Sequence, residues 1–422
     1  MKNIHLAGTT AAEFWLSAQR HREQTLSEWE KARAGNPNAV PSLDMRLILK
    51  SEIEAQGLRP RISPLPTGNA SRDAEASTID TPGASSLPVL ATHKVSPATY
   101  RVPTILEVVE SASAGFAAPS IACSGRPSAA KDEMERLCNR YSLALPLKLA
   151  VGSAACRSQS ALFDCATSPS KAPAASYIPI RRGLKAASPE LCLLQAAKEL
   201  GDDGFVRLAV LCARMFSIYS VDPSAPLGLL TRTPLTTPRK CLAFLGRCGY
   251  SRSQAVSNLK RAISIACPLC ASPPEIMTSI LLNCPRNLGG YGLGPVACNQ
   301  IVDVSAYYGG RRSQRRALDM YLPRAGCAVE YLGRESHDGR TEQDAQREAE
   351  LASLGIDVIR LTRQQLLSWS EIERFGIAVL AKKAGRRDAS RYEKYSAKRM
   401  KLWRDVIQEL SRCSSPSGSR RP

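Results

Sequence analysis

A chain of 422 residues is too long for one compact core and points to two or three folded units. Its formal charge of +19 favours a polyanionic partner, most simply nucleic acid, because each phosphate contact releases condensed counterions; a membrane surface is the competing polyanion. No stretch approaches the roughly 18 consecutive apolar residues of a membrane span. Residues 1–15, which include Lys2, His5 and Glu13, hold no continuous apolar run of the export kind, so a cytoplasmic chain with reduced thiols is expected.

Residues 1–58 read as a short helical N-terminal segment. Phe14, Trp15, Ala18 and His21 with Arg22 make a modest apolar face that Leu26, Trp29 and Ala32 continue, and residues 47–49 begin a second helix. Over 59–130 the composition turns to Pro, Ser, Ala, Thr and Gly, which bury too little apolar surface to offset chain entropy, and this stretch is expected to be linker. A short apolar run at 102–109 is an island within it.

Residues 131–268 are expected to form a mainly helical domain. A helix over 132–141 is followed by a strand over 143–151 interrupted by Pro146, and by another strand at 177–180. Ser188-Pro189-Glu190 then marks a helix start: Ser caps free amides, Pro fits the first turn, and Glu favours the positive end. That helix runs to Leu200, with further helices at 205–219, 237–248 and 253–266. Cys267 and Cys270 have the spacing of half a zinc site, with Cys284 downstream but no second close pair, so buried free thiols are expected.

The unit over 269–381 opens on a second capped start, Ser272-Pro273-Pro274-Glu275. Residues 287–295, NLGGYGLGP, form a glycine-rich turn without the Lys-Ser/Thr of a phosphate loop. A weak strand at 300–305 precedes two alternating segments, 317–322 and 327–332, joined by a turn at 323–326. If those strands pair, Asp319 faces Glu330. Two carboxylates held together repel unless a divalent cation lies between them, and such a cation can lower the pKa of water and stabilise charge on a scissile phosphate. Two surface acids on a solvated hairpin are the plainer alternative. The helix over 341–353 places Asp344, Arg347, Glu348 and Leu351 on one face, where Arg347 can meet a phosphate or pair with Asp344; Gly355 ends it before a buried strand at 356–361. Strand, strand, helix, strand implies a mixed α/β sheet.

The run Ala328-Val-Glu-Tyr-x-Gly, His337, Asp344-x-x-Arg347, Leu351 and Gly355-Ile-Asp-Val-Ile-Arg-Leu-Thr resembles the PD-(D/E)XK restriction-endonuclease-like superfamily. Its very-short-patch-repair-like branch, mostly uncharacterised bacterial proteins, is nearest. The resemblance covers residues 272–380 and implies a mixed sheet with flanking helices, Mg²⁺ or Mn²⁺ as cofactor, and DNA as substrate. It casts Asp319 and Glu330 as metal ligands, Glu275 as the acid of the first core helix, and Asp344 with Arg347 as the second-helix pair. The superfamily usually has Lys, and this branch Asp, two residues after the Glu; this chain has Leu332, which neither binds metal nor moves a proton. Arg347, Gln343 or His337 would have to substitute.

Basic groups flank these acids. Arg311, Arg312, Arg315 and Arg316 directly precede the Asp319 strand and, with the loop residue His337, are candidate nucleic-acid contacts. Residues 382–410 read as one basic helix with Tyr392, Tyr395, Trp403, Val406 and Leu410 on one side, fit to dock while its lysines face phosphate, or to lie on a membrane or partner. Two functions therefore stand: a metal-dependent DNA endonuclease, and a catalytically degenerate DNA-binding or regulatory protein of a defence or toxin–antitoxin type locus.

Overall fold

Ile4, His5 and Leu6 are all buried and form β1 (Ile4–Leu6), too short to announce itself by alternation yet paired on both sides. The computed structural model describes residues 4–36, 131–152, 156–167, 172–173, 176–181, 183–222, 225, 228–248, 253–309, 314–332, 341–384 and 390–414. The linker expected over 59–130, its apolar island and the helix begun at 47–49 lie outside the described residues. The described residues up to 25 and from 131 onward belong to one compact unit; of a second unit only 26–36, the end of a helix, is described.

The single N-terminal face expected from Phe14 to Ala32 is divided. Ser17 is extended and separates α1 (Gly8–Leu16) from α2 (Ala18–Gly35). Phe14 and Trp15 enter the core, where the Trp15 indole N–H donates to the Ala187 carbonyl at 2.8 Å. The first amides of α1 have no cap of their own, and Gln195 and Glu199 accept from Gly8 and Thr9 instead.

After α3 (Lys131–Tyr141) come β2 (Leu147–Val151), β3 (Phe163–Thr167), β4 (Tyr177–Arg181) and β5 (Leu184–Ala187). With β1 they make a five-stranded mixed sheet in the order β3-β2-β1-β5-β4. The middle region, expected to be mainly helical with strands near 143–151 and 177–180, supplies four strands to this sheet, and residues 4–6 supply the central one. Short segments such as Leu184–Ala187 carry no clear period; pairing with β1 and β4 makes them strands.

The helical starts follow the sequence closely. In α4 (Pro189–Leu200) the Ser188 hydroxyl accepts from Leu191 N–H at 3.3 Å. After α5 (Phe205–Phe216) and the hairpin of β6 (Tyr219–Val221) with β7 (Leu229–Thr231), the same device recurs. Thr237 caps α6 (Pro238–Arg247), Ser253 caps α7 (Gln254–Ile265), and Ser272 caps α8 (Pro273–Asn283). Each such cap is worth about 1 kcal/mol.

A second mixed sheet contains β8 (Ala297–Asp303), β9 (Arg315–Leu322) and β10 (Cys327–Leu332), with α9 (Thr341–Ser353) crossing to β11 (Asp357–Thr362). Its order is β11-β10-β9-β8, with only the β10–β11 pair parallel. Met320, Leu322, Cys327, Val329 and Leu361 join a hydrophobic core that continues without a break to Ile4 and α1; Leu318, Ala328, Val304, Leu351 and Ile356 form a smaller one. The central strands β9 and β10 thus carry buried residues on both faces.

The basic helix expected over 382–410 is not one element. After α10 (Arg363–Leu367), α11 (Trp369–Ala384) ends, and a 3₁₀ turn (Ser390–Tyr395) leads into α12 (Ser396–Ser414). Leu402, Val406 and Leu410 are buried, and the Trp403 N–H donates to the Leu366 carbonyl. Arg399 is only 1% exposed: it pairs with Glu373 of α11 and lies over the Tyr291 ring. Two glycines permit this packing. A Cβ on Gly376 would fall 2.0 Å from Tyr291 Cζ, and one on Gly289, at φ +93°, 2.3 Å from the Lys398 carbonyl oxygen. No helix among the described residues is long and apolar enough to cross a membrane.

Candidate active site

Asp319 sits where both ladders of its strand are interrupted. Pairing of β9 with β10 runs through Leu322↔Cys327, Tyr321↔Ala328 and Met320↔Val329. One further step would match Asp319 with Glu330, but there Tyr331 N–H donates to Asp319 Oδ2 at 2.9 Å, so a side-chain oxygen takes a backbone carbonyl's place. On the other edge, pairing passes from Cys298↔Met320 to Gln300↔Leu318 and skips Asn299 and Asp319. Asn299 there is left-handed, φ +50°, a conformation Asn tolerates better than most residues.

That kink aims the Asn299 amide at α8. Its Nδ2 donates to the Leu269 carbonyl at 2.8 Å and to Glu275 Oε2 at 3.1 Å. Glu275 is the third residue of α8 and 6% exposed. Ala271 N–H donates to its Oε2 at 2.8 Å and the Ser272 hydroxyl to its Oε1 at 2.7 Å, while Ser272 accepts from Glu275 N–H. The helix start read from the sequence therefore also fixes an acid beside the sheet.

Glu330, on β10, meets α9 through Arg347. One guanidinium nitrogen, Nη2, donates to Glu330 Oε2 at 2.9 Å and to the Ala317 carbonyl at 2.6 Å. The other carboxylate oxygen, Oε1, is buried and has no hydrogen-bond partner. Burial first, and the charge of Asp319 with it, raise the carboxyls of Glu275 and Glu330 to about 7. Asp319 is itself raised by burial, against the Tyr331 N–H and the Arg347 charge. Three carboxylates thus form one electrostatic cluster around Asp319, with Arg347 the cation acting on two of them.

Of the residues singled out in the sequence, Asp319 acts on both Glu275 and Glu330, and Arg347 acts on Asp319 and Glu330. Arg347 reaches Glu330 and a backbone carbonyl; the side chains of Asp344 and Gln343 lie outside the described residues. Arg316 differs from its reading as a phosphate contact. It makes a two-point ion pair with the fully buried Glu350 of α9, at 2.5 and 2.8 Å, and Tyr308 also donates to that carboxylate. These bonds hold the Glu350 carboxyl below the usual range. A buried carboxylate must find such donors, and the residue bordering Asp319 supplies them. Arg315 lies across from Asp303 in β8. Arg311, Arg312 and His337 fall outside the described residues. Leu332 aligns with Thr362 of β11 and brings no polar group.

Asn299 is the site residue that pattern reading missed. Its signal was an Asn directly before the expected strand at 300–305, where the left-handed turn falls. Cys267 and Cys270 are buried free thiols: Cys267 Sγ donates to the Val296 carbonyl, and Cys270 Sγ lies 3.3 Å from Cys298 Sγ.

No group of three or more His, Cys, Asp and Glu side chains among the described residues is arranged to hold a metal ion. Asp319 and Glu330 nonetheless form a two-carboxylate donor set. Both are raised by burial, and Glu330 Oε1 is buried without a hydrogen-bond partner. That set fits a hard cation such as Mg²⁺, which commonly takes one or two carboxylates and completes its shell with water and substrate phosphate. Comparison with known protein families, curated proteins and solved structures finds no match to this chain.

Proposed function

We propose that this protein is a cytoplasmic DNA endonuclease of the restriction-endonuclease-like type, hydrolysing phosphodiesters with Mg²⁺ or Mn²⁺. The observation that carries the reading is the convergence of Glu275, Asp319 and Glu330 at the point where β9 leaves both neighbours, with one Glu330 oxygen unmatched. Asp319 and Glu330 hold the ion, which when bound supplies charge to acidify water and stabilise a scissile phosphate. Arg347 stands beside them as a phosphate contact. Leu332 cannot take a proton, so that task falls to a carboxylate titrating near neutrality. Glu275, at about 7 and outside the metal pair, suits it. The net charge of +19 supports a polyanionic substrate.

Purified protein incubated with DNA and Mg²⁺ or Mn²⁺ tests the reading. Nicking is expected, and its survival in Asp319→Ala with Glu330→Ala rules out the assigned site.

A second reading, a DNA-binding or regulatory protein without cleavage, draws on two features: Leu332 at the position that usually carries a polar group, and the Arg347 guanidinium already on Glu330. It expects salt-sensitive DNA binding that ignores metal and leaves DNA intact. Cleavage gained by Leu332→Lys or Leu332→Asp would mark a decayed enzyme.

A further inference from the structure

Glu330 treats its two oxygens unequally. Oε2 is bound to Arg347, and Oε1 is buried with nothing on it. The carboxylate side chain is 14% exposed, so its charge has been taken from water without full compensation. Arg347 does not lie there loosely. The nitrogen that meets Glu330 also donates to the carbonyl of Ala317, two residues before Asp319, so the guanidinium bridges β9 and β10 from α9. Neighbouring links anchor the same helix: Glu350 to Arg316 of β9, and Glu348 to Arg360 of β11 at 2.8 Å. Arg360 is also the residue aligned with Glu330. The helix is therefore fixed to both β9 and β11 just beyond Arg347, so the Arg347 side chain can leave Glu330 while those anchors hold α9.

We propose that Arg347 is the resident cation of the acid cluster, and that a divalent ion loaded on Asp319 and Glu330 displaces it from Glu330. The inference rests on the reading of those two acids as metal ligands. Two cations cannot share one small carboxylate pair without strong mutual repulsion. Loading therefore frees the guanidinium at the edge of the pair, where a substrate phosphate is its natural anion. One side chain then links the two events: it stabilises the acids while the site waits, and it becomes available to DNA when the site is charged.

The test is an Mn²⁺ titration followed by electron paramagnetic resonance on the full chain. It compares wild type, Arg347→Gln, Arg347→Lys, and Asp319→Ala with Glu330→Ala, each checked for an unchanged thermal melt. Lysine keeps the charge and loses the planar fork. Displacement therefore expects Mn²⁺ affinity to rise about tenfold in Arg347→Gln and by a smaller, clear factor in Arg347→Lys, the size of a partly buried ion pair. Equal affinity in Arg347→Lys and wild type overturns the proposal, since charge alone then accounts for the effect while the metal reading stands. Binding that persists in the double alanine variant, or is absent from all four proteins, overturns the metal reading as well.

Discussion

Arg399→Met should separate the structural work of α12 from any contact it makes with a polyanion. Arg399 is 1% exposed and Glu373 16%; Nε reaches both Glu373 oxygens at 3.2 and 3.0 Å, and Nη2 makes a further bond to Oε1. Removing one partner of a buried pair costs about 3–5 kcal/mol, chiefly because the other charge stays buried and unpaired. Glu373 retains some water and the Tyr291 hydroxyl at 2.9 Å, which puts Arg399→Met near the lower end, about 3 kcal/mol. Replacing both partners, as Glu373→Leu with Arg399→Met, removes the stranded charge and should restore all but about 1 kcal/mol. The Tyr291 hydroxyl keeps a second acceptor in the Ile372 carbonyl at 3.2 Å, so the double change leaves it satisfied. Urea unfolding followed by tryptophan emission suits the measurement, because Trp369 and Trp403 lie 5.9 Å apart across the α11–α12 contact. Two single losses that simply add in the double variant would refute the reasoning, showing that the groups do not act as a pair.

Deleting residues 1–7 removes the central strand of the five-stranded sheet and should abolish cooperative unfolding of the unit, whereas a shortened terminus with unchanged melting would refute that role for β1. Stability should fall as pH rises from about 4.5 to about 7: Glu275 and Glu330 are raised in the fold, so the folded chain keeps protons that the unfolded chain releases. Urea midpoints across that window should show the decline, and Glu330→Gln should flatten it; a rising curve attributable to these two groups would contradict the assigned direction. Asn299→Asp sets a carboxylate against Glu275 in place of an amide donor and should cost about 1–3 kcal/mol, with Asn299→Ala milder because it adds no charge.

What was legible in the sequence shares a cause. Ser188, Thr237, Ser253 and Ser272 act through amides three residues away, so helix starts there follow from local spacing, and the turn at 323–326 fixes which strands pair. Asp319 and Glu330 were placed on adjacent strands by alternation and that turn, and a mixed sheet followed; its four-stranded order did not. Long-range satisfaction was not legible. β1 is a strand because β2 and β5 flank it, and Arg316 turns inward because Glu350, 34 residues later, is buried and needs it. Nothing local sets Arg399 apart from the other cations of its helix; Glu373 and Tyr291, brought in by the fold, bury it. Asn299 falls between: its residue type hinted at a left-handed turn, and only the fold supplied Glu275 as its partner.

The central claim is that Asp319 and Glu330 together hold a divalent ion. Anomalous diffraction from crystals grown with Mn²⁺ tests it most directly. The account expects a peak bridging the two carboxylates, with the Arg347 side chain withdrawn from Glu330. No peak at that position, with Arg347 still paired to Glu330 at saturating Mn²⁺, would contradict it.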